Sequence, residues 1–227
     1  MTFSIVARDP VAGHLGAGIA TARPCVGGRT LIARRGTALV VTQATVNTPL
    51  GVEIADALDD GDSPSAAFAR GLAADPGRDR RQLLAVSMAH APHAYTGSAV
   101  PDESGERTAD HVAVAGNLLR STAVLDGMIE RFQAGTGDLV SRIIDALDGG
   151  DRAGGDARGR QSAAVLVYDP GGCPLADLRV DDAGDPVAAL RYLHKAWDGC
   201  WGHYDRTGVF PPAEAYPHPL ATGGGPR

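Results

Sequence analysis

The chain has 227 residues, 44% of them hydrophobic, enough to bury the core of a single domain. Its formal net charge of -6 and pI near 5.6 exclude the basic face that a nucleic-acid partner needs. No charged leader with an apolar core opens the sequence and no run approaches a membrane span, so a soluble cytoplasmic protein without a membrane partner is expected.

The first strand-like run is Thr2–Asp9, and its first residue stands out. A small residue after Met1 lets the methionine be removed. The chain would then begin with a free Thr, which carries a hydroxyl nucleophile and an α-amine base of unperturbed pKa about 7.7–8.0 in one residue. The plain alternative is that Met-Thr simply starts a strand. A turn at Asp9-Pro10-Val11-Ala12-Gly13 leads to a second strand over Leu15–Thr21, and a second hairpin follows over Arg29–Arg34 and Ala38–Gln43. Helical spacing at Leu50, Ile54, Ala57 and Leu58 predicts a helix over Pro49–Asp59. Ser63 as N-cap and Pro64 in the first turn open another, to about Ala74. Strands resume at Gln82–Met88, His93–Thr96 and Val112–Asn117. Helices are expected at Ala123–Gln133 and Asp138–Leu147, then a glycine-rich connector from Gly149 to Gly159. Strands at Gln161–Tyr168 and Ala176–Val180 and a helix at Pro186–His194 complete the pattern.

Grouped strands followed by helix pairs argue against alternating parallel βαβ units. Val40-Val41 and Ala163–Val167 are apolar on both faces, so their sheets need cover on both sides. The expected fold is α+β, a four-layer αββα sandwich of two antiparallel sheets flanked by helices. One domain is expected over residues 1–196, followed by an irregular C-terminal tail over 197–227 that is rich in Pro, Gly and aromatic residues.

Lys195 is the only lysine, which removes most lysine chemistry, and Cys25, Cys173 and Cys200 are too few and too irregular for a disulfide framework or a zinc knuckle. The densest polar cluster is Gly154-Gly155-Asp156-Ala157-Arg158-Gly159-Arg160-Gln161-Ser162. Asp156 is a candidate to orient the terminal amine, and Arg158 and Arg160 are candidates to hold a substrate carboxylate by a bidentate fork. A helix-to-strand connector with surface ion pairs reads the same residues without a ligand. Gln43, in Thr42-Gln43-Ala44-Thr45-Val46-Asn47, and Asn117, after Gly116, end strands, where an amide can reach into a cleft and donate to a developing oxyanion. Asn47 is a second polar candidate for holding substrate, although Asn and Gly also serve as turn residues. Gly13, Gly16 and Gly18 have the wrong spacing for a dinucleotide loop and precede a strand. His90, His93 and His111, near Asp102 and Glu103, match no standard metal motif. No cofactor or metal is expected.

Thr2 at a hairpin start, the paired hairpins and the two helix pairs together resemble the N-terminal nucleophile hydrolases. More closely, the chain resembles a bacterial branch known as domain of unknown function 1028. The residues that carry this are Thr2-Phe3-Ser4-Ile5-Val6-Ala7-Arg8-Asp9, Thr42-Gln43-Ala44 with Asn47, Ala74-Asp75-Pro76-Gly77-Arg78, Tyr95-Thr96-Gly97, Gly116-Asn117-Leu118-Leu119, Gly154 through Ser162 and Asp177-Leu178-Arg179-Val180-Asp181-Asp182. The resemblance spans roughly residues 2–194. It implies the αββα fold and hydrolysis of a non-peptide amide of a small molecule, and it carries the nucleophile role to Thr2 alone. The roles given to Gln43, Asn117, Asp156, Arg158 and Arg160 come from motif placement. Two segments depart from the branch pattern, the acidic stretch Ser98–His111 and the shortened Gly171–Ala176, and both are places where a pocket could differ. The reading from another class is a ligand-binding or assembly protein that has kept the fold, with a second copy of the chain as the partner it admits.

Overall fold

The structure is a computed structural model that describes residues 2–101 and 103–212. Strand β1 (Thr2–Asp9) turns at Asp9, whose carboxylate accepts the N–H groups of Val11 and Ala12 at 3.0 and 3.1 Å, into β2 (His14–Thr21). A single helical turn, α1 (Gly27–Thr30), precedes the hairpin of β3 (Leu31–Arg34) and β4 (Ala38–Ala44). Helices α2 (Thr48–Asp59) and α3 (Pro64–Ala74) each start with a proline in the first turn. Asn47 Oδ1 accepts the Leu50 N–H at 3.2 Å and Ser63 Oγ accepts the Ala66 N–H at 3.3 Å, which satisfies otherwise orphaned donors. Then come β5 (Arg81–Ser87), β6 (His93–Thr96), β7 (Gly105–Ala109) and β8 (Val112–Asn117). Helices α4 (Ala123–Ala134) and α5 (Leu139–Arg152), strands β9 (Ser162–Tyr168) and β10 (Pro174–Val180), and α6 (Pro186–Trp197) complete the domain.

The strands form a six-stranded sheet of order β10-β9-β2-β1-β8-β7 and a four-stranded sheet of order β3-β4-β5-β6, every pairing antiparallel. The expected four layers are present. Side chains alternate across each strand, so β1 sends Phe3, Ile5 and Ala7 into the apolar layer under α4 and α5 and sends Val6 between the sheets. Likewise β4 sends Ala38 and Val40 beneath α2 and α3, and Leu39 and Val41 toward the larger sheet. Both faces are buried, which is why these strands read as continuous apolar runs.

Four local features differ from the sequence reading. Arg29 and Thr30 belong to α1, not to the strand that follows. Strand β7 has no apolar alternation to announce it; it is an exposed edge strand, held by backbone pairing such as Glu106 with Ala115. Helix α5 runs on through Gly149 and Gly150, because their missing side chains let it lie against α4; a Cβ on Gly149 would sit 2.5 Å from the Gly127 carbonyl oxygen. The first part of the expected irregular tail is helical, with a π-helical turn at Asp198–Gly202 and α7 (His203–Thr207), while residues 213–227 lie outside the described residues.

Glycine also sets the distance between α5 and the larger sheet. A Cβ on Gly18 would lie 2.5 Å from Ile143 Cγ2 and 3.2 Å from Ile5 Cγ2. Because Cγ2 is the branch methyl of a stiff side chain, Gly18→Ala is expected to lower unfolding stability by about 1–3 kcal/mol in urea denaturation. Ile143→Ala, itself costing about 2–5 kcal/mol, makes room for the new methyl, so the double variant should lose less than the sum of the two.

Candidate active site

The apolar layer between the sheets ends in polar residues at one end of the sandwich. Continuing the alternation, the residues that face the gap there are Thr2, Thr21, Asn117 and Ser162 from the larger sheet and Gln43, Gln82 and Thr96 from the smaller. The register places them in two rows. Thr2 pairs with Thr21 on one side and Asn117 on the other, and Thr21 pairs with Ser162. Gln82 pairs with both Gln43 and Thr96.

The rows are joined by the side chain of Gln82, fully buried at 0% exposure. Its Oε1 accepts from Gln43 Nε2 at 2.7 Å and from Asn117 Nδ2 at 3.0 Å. Its Nε2 donates to the Gly116 carbonyl at 2.8 Å, the Thr96 hydroxyl at 2.9 Å and the Gly105 carbonyl at 3.1 Å. Gln43 Oε1 and Ser4 Oγ are buried beside these rows without a hydrogen-bond partner among the described residues. A buried group left unsatisfied costs about 1–3 kcal/mol.

Above the rows opens a cavity of about 660 Å³, lined by Thr2, Thr21, Gln43 and Asn117 at its base. Thr2 is half-buried, with its Oγ1 3.1 Å from Thr21 Oγ1. Four arginines, Arg23, Arg29, Arg80 and Arg158, also line the cavity. No Asp, Glu, His or Lys side chain does so among the described residues. Three further lining residues, Cys25, Ala44 and Leu118, adopt left-handed backbone with φ of 57°, 61° and 55°. Such conformations cost about 1–3 kcal/mol each for side chains with a Cβ and gather at functional sites.

One wall is the connection between β4 and α2, fixed by a buried ion pair. Arg81 Nε and Nη2 donate to the Asp75 carboxylate at 2.7 and 3.1 Å, and Arg81 Nη1 donates to the Thr45 carbonyl at 2.9 Å. The Arg81 guanidinium, with the Gly77 N–H and Asn47, outweighs burial and holds the Asp75 carboxyl at about 2. The same contact raises the Arg81 guanidinium above its ordinary value.

The residues singled out in the sequence divide here. Thr2, Gln43, Asn117 and Arg158 meet in the cavity. Each of the two amides already donates one hydrogen to Gln82, which leaves the second for a ligand. Asp156 does not line the cavity; its buried carboxylate accepts the Ala22 N–H at 3.0 Å and the Arg158 N–H at 2.8 Å and pairs with the Arg158 guanidinium at 3.3 Å. It therefore positions Arg158 and the end of β2. Burial pushes its carboxyl above the ordinary value, against those N–H donors and the charge of Arg23. Arg160 turns away to pair with Asp151 and Asp185, and Asn47 is spent as the α2 cap, with a 3.5 Å contact to Asp75. The histidine group gathers no metal site; no cluster of three or more His, Cys, Asp or Glu side chains able to hold a metal occurs among the described residues, and Asp102 lies outside them. Sequence reading missed Thr21, Gln82, Arg29 and Arg80. A signal for the first two existed, because each is a terminal inter-sheet position of its strand, Thr21 the last of β2 and Gln82 the first of β5.

Residues 2–190 match the family described as "Family of unknown function (DUF1028)". The crystal structure of protein SPO2555 from Silicibacter pomeroyi, a DUF1028 protein, is 35% identical and superposes with a TM-score of 0.81 over 87% of this chain and 86% of its own. Anbu (ancestral beta-subunit) from Yersinia bercovieri is 12% identical, with a TM-score of 0.42 over 92% of this chain and 98% of its own. No curated protein matches the sequence. No helix among the described residues is long and apolar enough to cross a membrane.

The hydrogen bonds at Gln82 give an asymmetric expectation. Gln82→Leu strands two amide donors and two carbonyls and should cost about 2–4 kcal/mol in denaturant unfolding. Gln43→Leu removes an orphan acceptor while Asn117 still satisfies Gln82, and should be close to neutral. Acid titration tests the Asp75 pair. A carboxyl held at about 2 instead of 3.8 stabilises the fold above the unfolded value, by about 2 kcal/mol, and that stability is lost as pH falls from about 4 to 2. Asp75→Asn should therefore be less stable at pH 7, with a flatter stability profile across that acid window.

Proposed function

Because the chain belongs to the DUF1028 family, whose function is unknown, the chemistry must be argued from the cavity, and we propose that the protein hydrolyses an amide bond of a small molecule with Thr2 as nucleophile. The observation that carries this reading is the placement of Thr2. It is the first residue of a central strand, half-buried at the base of a cavity of about 660 Å³. That volume lies within the roughly 300–1,000 Å³ usual for small-molecule sites.

Once Met1 is removed, the α-amine stands beside the hydroxyl. No carboxylate, imidazole or lysine lines the cavity among the described residues, and guanidinium groups do not accept protons near neutral pH, which leaves the amine and the Cys25 thiol as lining groups able to act as a base; the amine is the one carried by Thr2 itself. Thr2 Oγ1 attacks the amide carbonyl and the amine takes the hydroxyl proton. The tetrahedral intermediate collapses by breaking the C–N bond, and the same proton passes to the leaving amine, giving a Thr2 ester. Water, deprotonated by the amine, then attacks the ester; the bond from the acyl carbon to Thr2 Oγ1 breaks, the amine returns the proton to Oγ1, and the carboxylic acid is released. The Thr21 hydroxyl, 3.1 Å away, orients the nucleophile. The free hydrogen of the Asn117 amide stabilises the oxyanion.

Two measurements test the reading. An acylating probe such as a p-nitrophenyl ester should add its acyl mass to the peptide that begins at Thr2, and only in protein from which Met1 has been removed. Thr2→Ala should abolish both labelling and turnover, and Asn117→Ala should lower kcat by about 100–1,000-fold with little change in KM. Full turnover by Thr2→Ala would sink the assignment and leave a binding protein.

A further inference from the structure

The charge lining the cavity identifies a class of ligand. Arg158 is neutralised by Asp156, and Arg23 also faces that carboxylate. Arg29 and Arg80 have no ion-pair partner among the described residues, although the protein as a whole carries a net charge of -6. In an acid-rich chain, two exposed guanidiniums that both line one concave site, with no acidic side chain lining it, are arranged for a ligand and not for each other.

The backbone holds them there. Arg29 lies in the single turn of α1 and its carbonyl accepts the Thr48 hydroxyl at 3.3 Å; Arg80 ends the 3-10 turn at Arg78–Arg80 and its carbonyl accepts the Thr45 N–H at 3.1 Å. Both arginines are thus tied to the same β4–α2 connection, from different parts of the chain. That connection is itself pinned by Arg81, which donates to the Thr45 carbonyl. Two guanidiniums carried by separate segments, each a planar fork that matches one carboxylate, form two anion subsites.

We infer that the site takes a dicarboxylate, a small amide bearing two carboxylate groups that Arg29 and Arg80 bind separately while the amide carbonyl faces Thr2. This rests on the hydrolase reading for the role of Thr2, but the anion subsites are defined by the arginines alone. The neutral part of the ligand lies against Val26, Val46 and Pro101, which supply apolar lining. A monocarboxylate fills one subsite and leaves the other guanidinium solvated.

Isothermal titration calorimetry at low salt with N-acetyl-glutamate, N-acetyl-glutamine and N-acetyl-glutaminamide tests this, since the three probes share a skeleton and carry two, one and no negative charges. Affinity should fall in that order, at least about tenfold from first to last, and the dianion's affinity should drop as salt is raised. Arg29→Ala and Arg80→Ala should each weaken the dianion by about tenfold and leave the neutral probe unchanged. Arg70→Ala, on α3 outside the cavity lining and paired with Asp62, is the control and should change nothing. Equal affinity for the three probes, no measurable binding of the dianion, or arginine variants that bind it as the parent does would each overturn the proposal. Inorganic phosphate that binds as tightly as the dianion and is equally sensitive to both variants would also overturn it, in favour of a single phosphate subsite. A Thr2→Ala protein that still binds the dianion separates the two readings. If binding holds and Thr2 is never acylated, the ligand class stands and the hydrolase reading falls. If Thr2 is acylated equally by neutral and dianionic probes, the reverse is true.

Discussion

The side-chain amide of Gln82 crosses from one sheet to the other at the end where the cavity opens, and the arrangement of the site depends on that crossing. Within the smaller sheet it accepts from Gln43; across the gap it accepts from Asn117 and donates to the carbonyls of Gly105 and Gly116. Every polar atom of the amide is committed, and a buried polar group left without its partner is costly. A one-residue slip of β5 would turn Gln82 toward α2 and α3 and strand all of these groups at once. The cross-link therefore fixes the height of Asn117 and Gln43 relative to Thr2, and those are the groups that form the base of the cavity.

Around this rigid base the molecule tolerates costs that it avoids elsewhere. Gln43 Oε1 lies buried without a partner among the described residues, and Cys25, Ala44 and Leu118 hold left-handed backbone on the cavity wall. Arg29 and Arg80 stand without counter-ions among the described residues. Each of these lowers stability by a modest amount, and they coincide in one place. Such a coincidence is the physical mark of a region shaped by binding and not by packing. The opposite holds for the wall itself, where the Asp75–Arg81 pair and the Thr45 contact give the connection after β4 a single geometry.

Much of this could be read along the chain. The alternation in β1, β4 and β9 predicts sheets covered on both faces, and the Ser63-Pro64 and Asn47-Thr48-Pro49 starts place the helix pair over the smaller sheet. Thr2, Gln43 and Asn117 were recognisable as polar residues at strand ends. Other inferences drawn from neighbourhood in sequence failed for a geometric reason. Arg158 and Arg160 are two residues apart, yet only Arg158 reaches the cavity, because the loop turns through Gly154, Gly155 and Gly159 with φ of 121°, 50° and 102° and sends Arg160 toward Asp151 and Asp185. Asp156 lies off the cavity lining, its carboxylate held by the Ala22 and Arg158 N–H groups. Asn47 looked like a ligand but is needed as a helix cap.

Local patterning by itself determined the layers of this protein and the ends of most of its elements, because periodicity and capping act over a few residues. Which strand ends become neighbours was decided only by the tertiary structure. Thr2 lies beside Thr21 and Asn117 through the pairing of β1 with β2 and β8, and across from Gln82 through the stacking of two sheets. Arg29 and Arg80 converge because two distant segments fasten to one connection. These are contacts between residues far apart in the chain, and no local preference encodes them; they follow from the burial of the apolar faces that brings the sheets together.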